Sequence, residues 1–173
     1  MLIDYLYVSE FVSLLYYFAF AVFLIVIFAY DVKHMIIPDF ATAGIAALAC
    51  IGWAVRFFSG SASTSDIGMT AGVAMLALIV FGGIWGISRG NAMGFGDVKL
   101  APVLVLFLGG LKGGIAILLS FWVGALVGIM VVIIKRGTLK SKIPFGPYLA
   151  FGAFVSLVWG DGLANTYFRL LGV

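Results

Sequence analysis

Charge is scarce in this chain: Asp, Glu, Lys and Arg make up 10% of its 173 residues, against roughly 25% in soluble domains. With 64% hydrophobic residues and a mean hydropathy of +1.24, that scarcity excludes an ordinary soluble domain and points to an integral membrane protein. Cysteine is nearly missing too. The one thiol, Cys50, excludes an intramolecular disulfide and any zinc site built from a cysteine cluster. It falls inside an apolar run, so its expected role is packing. The one histidine, His34, excludes a zinc protease of the HExxH kind, which needs two histidines on one helix face. A Ser-His hydrolase would have to use that same residue, and no Gly-x-Ser-x-Gly elbow is present to display the serine. His34 is therefore read as an interfacial polar residue. Gly94-Phe-Gly-Asp lacks the lysine and hydroxyl of a phosphate-binding loop. The first ten residues hold Asp4 and Glu10 but no Lys or Arg, so the basic start of a cleavable signal peptide is missing and the first span is expected to be retained. With no low-complexity tract and no long linker, a single domain is expected over residues 1–173.

What the chain does have is long uncharged stretches. A membrane span takes about 20 apolar residues in helical form, because lipid offers no partner to an unpaired backbone group. Phe11–Tyr30, Ile67–Ser88 and Gly113–Ile134 carry no Asp, Glu, Lys or Arg. Phe40–Phe58 is a fourth run, with Arg56 near its end, where a long side chain can reach the headgroups. Val98–Leu111 and Phe145–Gly160 are shorter and suit tilted, half-buried or re-entrant segments. The expected fold is thus all-α, with about six transmembrane helices and a tail, Asp161–Val173, lying along the interface.

If six spans alternate sides, the basic residues set the orientation. Lys33, Arg89, Lys99, Lys135, Arg136, Lys140 and Lys142 fall on one side; Arg56, Lys112 and Arg169 fall on the other. The richer side, with Asp31, Asp97 and the loop from Arg136 to Pro144, is expected to face the cytoplasm, and the N-terminus to face out. Topology and anionic lipid account for the net charge of +3 without a nucleic-acid partner, and no base-reading motif is present.

Against this background two acids stand out. Asp31 ends an apolar run, and Asp97 follows two glycines in Gly94-Phe-Gly96-Asp97-Val-Lys99. Acids at membrane edges are costly and mark function. Two carboxylates can share one proton, since like charges close together do not both ionise. One then polarises a carbonyl while the other takes a proton from water, and the hydroxide-like nucleophile attacks a peptide bond. The titrations belong to the pair, so neither acid is assigned a fixed role. Gly94 and Gly96 are expected to let the chain bend and another backbone approach. The plainer roles are a helix cap for Asp97 and a helix-end marker for Asp31. Asp39, after Pro38, is read as the N-cap of the second span. Lys33 and Lys99, each ending an Asp-Val-Lys tripeptide, are read as anchors to lipid headgroups. A third segment, Lys140-Ser-Lys-Ile143-Pro144-Phe-Gly146-Pro147-Tyr148, has two prolines that fix its direction and suits a wall holding an extended substrate.

Together these elements resemble the type IV prepilin peptidases, the GxGD membrane aspartic proteases. That family's first acid lies in a D-x6-P-D/N pattern, here Asp31 to Pro38 and Asp39. Its second lies in G-x-G-D-x-K, here Gly94 to Lys99, and its I-P-F-G-P-Y/F motif reads as Ile143 to Tyr148. The resemblance runs from about Phe20 to Ala150. It implies Asp31 and Asp97 as the catalytic pair, with Gly94, Gly96, Lys99, Pro38, Pro144, Gly146 and Pro147 in support, and neither metal nor cofactor. It further implies prepilin and pseudopilin substrates, cut after short basic leaders at the cytoplasmic face of the bacterial inner membrane. Larger members carry an N-terminal cytoplasmic region with CxxC pairs linked to N-methylation. This chain resembles the short form of tight-adherence (Flp-type) pilus systems, so peptidase activity alone is expected. The competing readings are a proton-coupled transporter and a non-catalytic pilus assembly subunit.

Overall fold

The structure, a computed structural model, describes residues 2–135 and 144–171. Arg136, Lys140, Lys142 and Ile143 of the sequence argument lie outside the described residues. Six helices follow in order: α1 Leu2–His34, α2 Asp39–Phe58, α3 Thr64–Ser88, α4 Phe95–Leu108, α5 Gly110–Lys135 and α6 Gly146–Leu171. The all-α expectation holds. Among the described residues, four segments are long and apolar enough to cross a membrane: Glu10–His34, Asp39–Phe58, Thr64–Ser88 and Gly110–Val131.

Helix α1 runs without glycine or proline over its 33 residues, so nothing in it interrupts the hydrogen-bond ladder. It ends where Met35 adopts a left-handed conformation, φ 55°, its N–H closing on the Asp31 carbonyl at 2.8 Å. Pro38, which cannot donate to a ladder, then stands in extended conformation at the start of α2. One stripe of α1 is buried at helical spacing, Phe20, Leu24, Ile27 and then Asp31. Leu14, Phe18 and Ile25 on other faces are exposed, as suits lipid contact.

The core gathers around α4, which packs against α2, α3, α5 and α6. At 14 residues, α4 is about 21 Å long, short of the roughly 30 Å hydrocarbon layer. This agrees with the short segment expected at Val98–Leu111; the helix is sheltered by protein, which is where short membrane-depth helices are tolerated. Gly109, at φ 87°, breaks it from α5, and the freed Gly110 N–H donates to Thr70 Oγ1 at 2.8 Å. Apolar packing gives little preference between protein and lipid, so specific contacts matter more between membrane helices. Tyr16 donates to the Leu48 carbonyl at 2.9 Å, Trp53 to the Leu106 carbonyl at 2.8 Å, and Ser156 to the Lys112 carbonyl at 2.6 Å. Phe107 of α4 stacks on Phe20 of α1 with ring centres 3.8 Å apart.

Two further expectations change. Cys50 is exposed on α2 rather than packed, because its helical face points away from α1 and α4. The segment from Asp161 continues α6 without a break to Leu171, and Asp161 pairs with Lys112 of α5 at 2.7 Å.

Candidate active site

One end of the bundle collects the C-terminus of α1, the N-termini of α2, α4 and α6, and the turn after α3. They surround a cavity of about 1020 Å³ whose wall includes Asp31, Pro38, Asp39, Gly94, Gly96, Asp97, Lys99 and Pro144. The two acids singled out in the sequence thus share one cavity.

Asp31 arrives there because it is the last member of the buried stripe on α1; it is 4% exposed. Its Oδ2 accepts the Gly146 backbone N–H at 2.9 Å. A first-turn N–H has no partner within its own helix, so the start of α6 is satisfied by a carboxylate from α1. A Cβ at Gly146 would stand 2.6 Å from that same Oδ2, so only glycine permits the contact. Pro147 follows in the first turn of α6, where its missing N–H costs nothing.

Asp97 lies in the first turn of α4, behind Gly94 in the capping position; its backbone N–H meets the Gly94 carbonyl at 3.2 Å. The capping role considered for Asp97 therefore falls to Gly94. Asp97 is 5% exposed, and its Oδ1 is buried with no hydrogen-bond partner. It lies outside the four spans, and its carboxyl is pushed up to about 7, first by burial and then by the negative charge of Asp31, with the Gly94 backbone acting weakly in the other direction.

The glycines act differently from expectation. Gly94 has an ordinary extended backbone, φ −73°, and neither it nor Gly96 takes positive φ. At Gly96 the close neighbour is a side chain, not a backbone: a Cβ there would come within 2.9 Å of Ile37 Cβ. Pro38, not Asp39, occupies the capping position of α2 and makes no side-chain cap. Asp39, the next residue, pairs with Lys99, because the N-termini of α2 and α4 lie side by side. Lys99 is thereby held by protein rather than by headgroups alone. His34 lies against Tyr30, the rings tilted with centres 4.5 Å apart.

A model of the type IV leader peptidase family matches residues 18–133, a stretch holding both aspartates. The chain belongs to the type IV leader peptidase family. Similar proteins of this family include the prepilin leader peptidase/N-methyltransferase of Pseudomonas aeruginosa, 32% identical over 82% of this chain and 48% of that protein. The Stutzerimonas stutzeri protein of the same name is 34% identical over 80% and 47%, and that of Xanthomonas campestris 31% over 87% and 52%. The chain spans about half the length of the relatives it matches. No solved structure matches it.

Sequence reasoning about this site passed over Ile37, Met35 and Tyr30, all on the cavity wall. The visible signal for Ile37 was an apolar pair, Ile36-Ile37, in the short connection between α1 and α2, just before Pro38. Which of the two turns inward is decided by the left-handed Met35: Ile36 is 62% exposed and Ile37 6%.

Proposed function

We propose that this chain is a membrane aspartic endopeptidase that removes the leader peptide of type IV prepilins, with Asp31 and Asp97 as the catalytic pair. The observation that carries this reading is the meeting of two buried carboxylates, from distant parts of the chain, in one cavity at the end of a membrane helix bundle. The family of the chain and the names of its relatives support the substrate class.

In this reading a water molecule between the carboxyls loses a proton to the ionised member, and its oxygen attacks the scissile carbonyl carbon. The protonated member gives its proton to the carbonyl oxygen. The tetrahedral diol then collapses: the C–N bond breaks, the leaving nitrogen takes a proton from the protonated member while one diol hydroxyl gives its proton to the ionised member, and a carboxyl and an amine terminus separate, leaving one proton on the pair. Burial and the neighbouring charge keep a proton on the pair near neutral pH, which this acid-and-base division requires. The dyad acts as a unit, so the two roles are not assigned singly.

The basic residues Lys33, Arg89 and Lys99 stand at this end of the helices and favour its facing the cytoplasm of the inner membrane. The short basic leader of an Flp-type prepilin or pseudopilin would meet the cavity there. Co-expression with such a prepilin tests the proposal: leader loss read by mass is expected with the wild type and not with Asp31→Asn or Asp97→Asn. The same mass reads methylation of the new N-terminus, the second activity in the names of the relatives.

A further inference from the structure

One side chain touches the first turn of α4, which carries Asp97, and the first residue of α6, which is hydrogen-bonded to Asp31. Ile37 packs against Gly96, where an added Cβ would lie 2.9 Å from its own Cβ, and against Gly146, where an added Cβ would lie 3.2 Å from its Cδ1. Gly96 adjoins Asp97, and the Gly146 N–H holds Asp31. Three features keep Ile37 in this wedge. Met35 in left-handed conformation turns the chain back toward the bundle. Pro38 restricts the backbone on the other side. The Asp39–Lys99 pair ties the residue after Pro38 to α4, with the Lys99 ammonium 5.4 Å from the Phe95 ring centre.

The geometry points to Ile37 as a positioning residue that sets the separation of Asp31 and Asp97, with the Asp39–Lys99 pair holding it in place. This rests on the dyad reading above. Its physical content is that two carboxylates must be near enough to share a proton and far enough apart to admit water and a peptide carbonyl. Packed interiors resist small displacements, so a β-branched side chain abutting two glycine turns is a spacer of defined size. The titratable and charged groups around the cavity are Tyr30, Asp31, Asp39, Asp97 and Lys99, and coupling within this set changes with distance.

The test is a series, Ile37→Ala, Ile37→Val and Lys99→Gln, with the double exchange Asp39→Lys/Lys99→Asp, in the full chain reconstituted in nanodiscs. Two readouts are taken: prepilin cleavage kinetics, and the carboxyl carbon NMR titration of Asp31 and Asp97, assigned with their Asn variants. Ile37→Ala is expected to lower kcat about 100-fold, the order a 1 Å misplacement costs, with KM within about twofold, and to move the paired titrations. Ile37→Val keeps the branch against Gly96 but lacks the Cδ1 that reaches Gly146, and is expected to fall between Ile37→Ala and the wild type on both readouts. Lys99→Gln removes a cavity-wall charge together with the pair, so its shift supports the inference only where the double exchange, which restores the pair with its charges reversed, brings the titrations back.

A lower melting temperature in Ile37→Ala, with kcat and titrations unchanged, would overturn the inference and leave Ile37 as core filling. If Ile37→Ala does not fold, unchanged kcat and titrations in Ile37→Val would overturn it. The NMR arm needs no cleavage. Wild type that leaves prepilin intact therefore counts against the peptidase reading, while titrations that move with Ile37 still sustain the spacer.

Discussion

The backbone N–H of Gly146 donates to Asp31 Oδ2 at 2.9 Å, joining residues 115 apart in the chain. One hydrogen bond thus ties the end of the first helix to the start of the last and fixes one acid of the pair. Because the glycine has no Cβ to strike Oδ2, side-chain size at position 146 controls the position of a carboxylate.

Gly146→Ala is therefore expected to displace the Asp31 carboxylate and lower kcat for leader cleavage about 100-fold. Steady-state kinetics on a prepilin, corrected for the folded fraction, check this. Unchanged kcat would mean that α6 plays no part in positioning Asp31.

The elevated Asp97 carboxyl makes a prediction about stability and pH. Its value in the native chain is about 7, above the ordinary 3.8, so between these limits the folded state keeps a proton that the unfolded state has lost. The contribution of Asp97 to stability therefore falls as pH rises from about 4 to about 7, and is level above that. Asp97→Asn carries no such charge. Thermal unfolding in detergent from pH 4 to 8 is expected to show the variant gaining on the wild type through this window, then holding a constant lead.

The junction of α5 and α6 is expected to be sensitive to size. A Cβ on Gly152 would collide with Ser120 Oγ and the Ala116 carbonyl, and Ser120 already donates to that carbonyl at 2.6 Å. Gly152→Ala is expected to cost about 1–3 kcal/mol through overpacking, read as a lower unfolding midpoint. Activity per folded molecule is expected to persist, because residue 152 is off the cavity wall.

Cys50, exposed near the middle of the α2 span, faces lipid, where the thiol stays protonated and is expected to react only slowly with maleimide. Cys50→Ala is expected to change stability by less than about 0.5 kcal/mol and leave cleavage intact. A loss of more than about 2 kcal/mol in Cys50→Ala would contradict its placement.

The helices were legible because apolar runs without glycine or proline, such as Phe11–Tyr30, have one low-energy form in lipid. The aspartate pair was legible because charge is costly in such a chain, so Asp31 and Asp97 stand out. The shortness of α4 was legible, since Val98–Leu111 is too brief for an ordinary span; what was hidden is which helices shelter it, because those contacts come from distant parts of the chain. The Asp39–Lys99 pair and the Ile37 wedge were hidden for the same reason. They arise from residues distant in sequence, and nothing local to Asp39 or Ile37 names its partner. Asp39 after a proline looks like a cap until α4 supplies a cation.

The central claim is that Asp31 and Asp97 together hydrolyse the leader junction, and its most direct measurement is leader removal from an Flp-type prepilin by purified protein in nanodiscs. Wild type, Asp31→Asn and Asp97→Asn are compared by product mass, each shown to be folded by its unfolding transition. The account predicts cleavage by wild type and loss of at least about 1,000-fold in rate in both variants, the order expected on removing a group that acts in the reaction itself. Cleavage by either variant at the wild-type rate would contradict it.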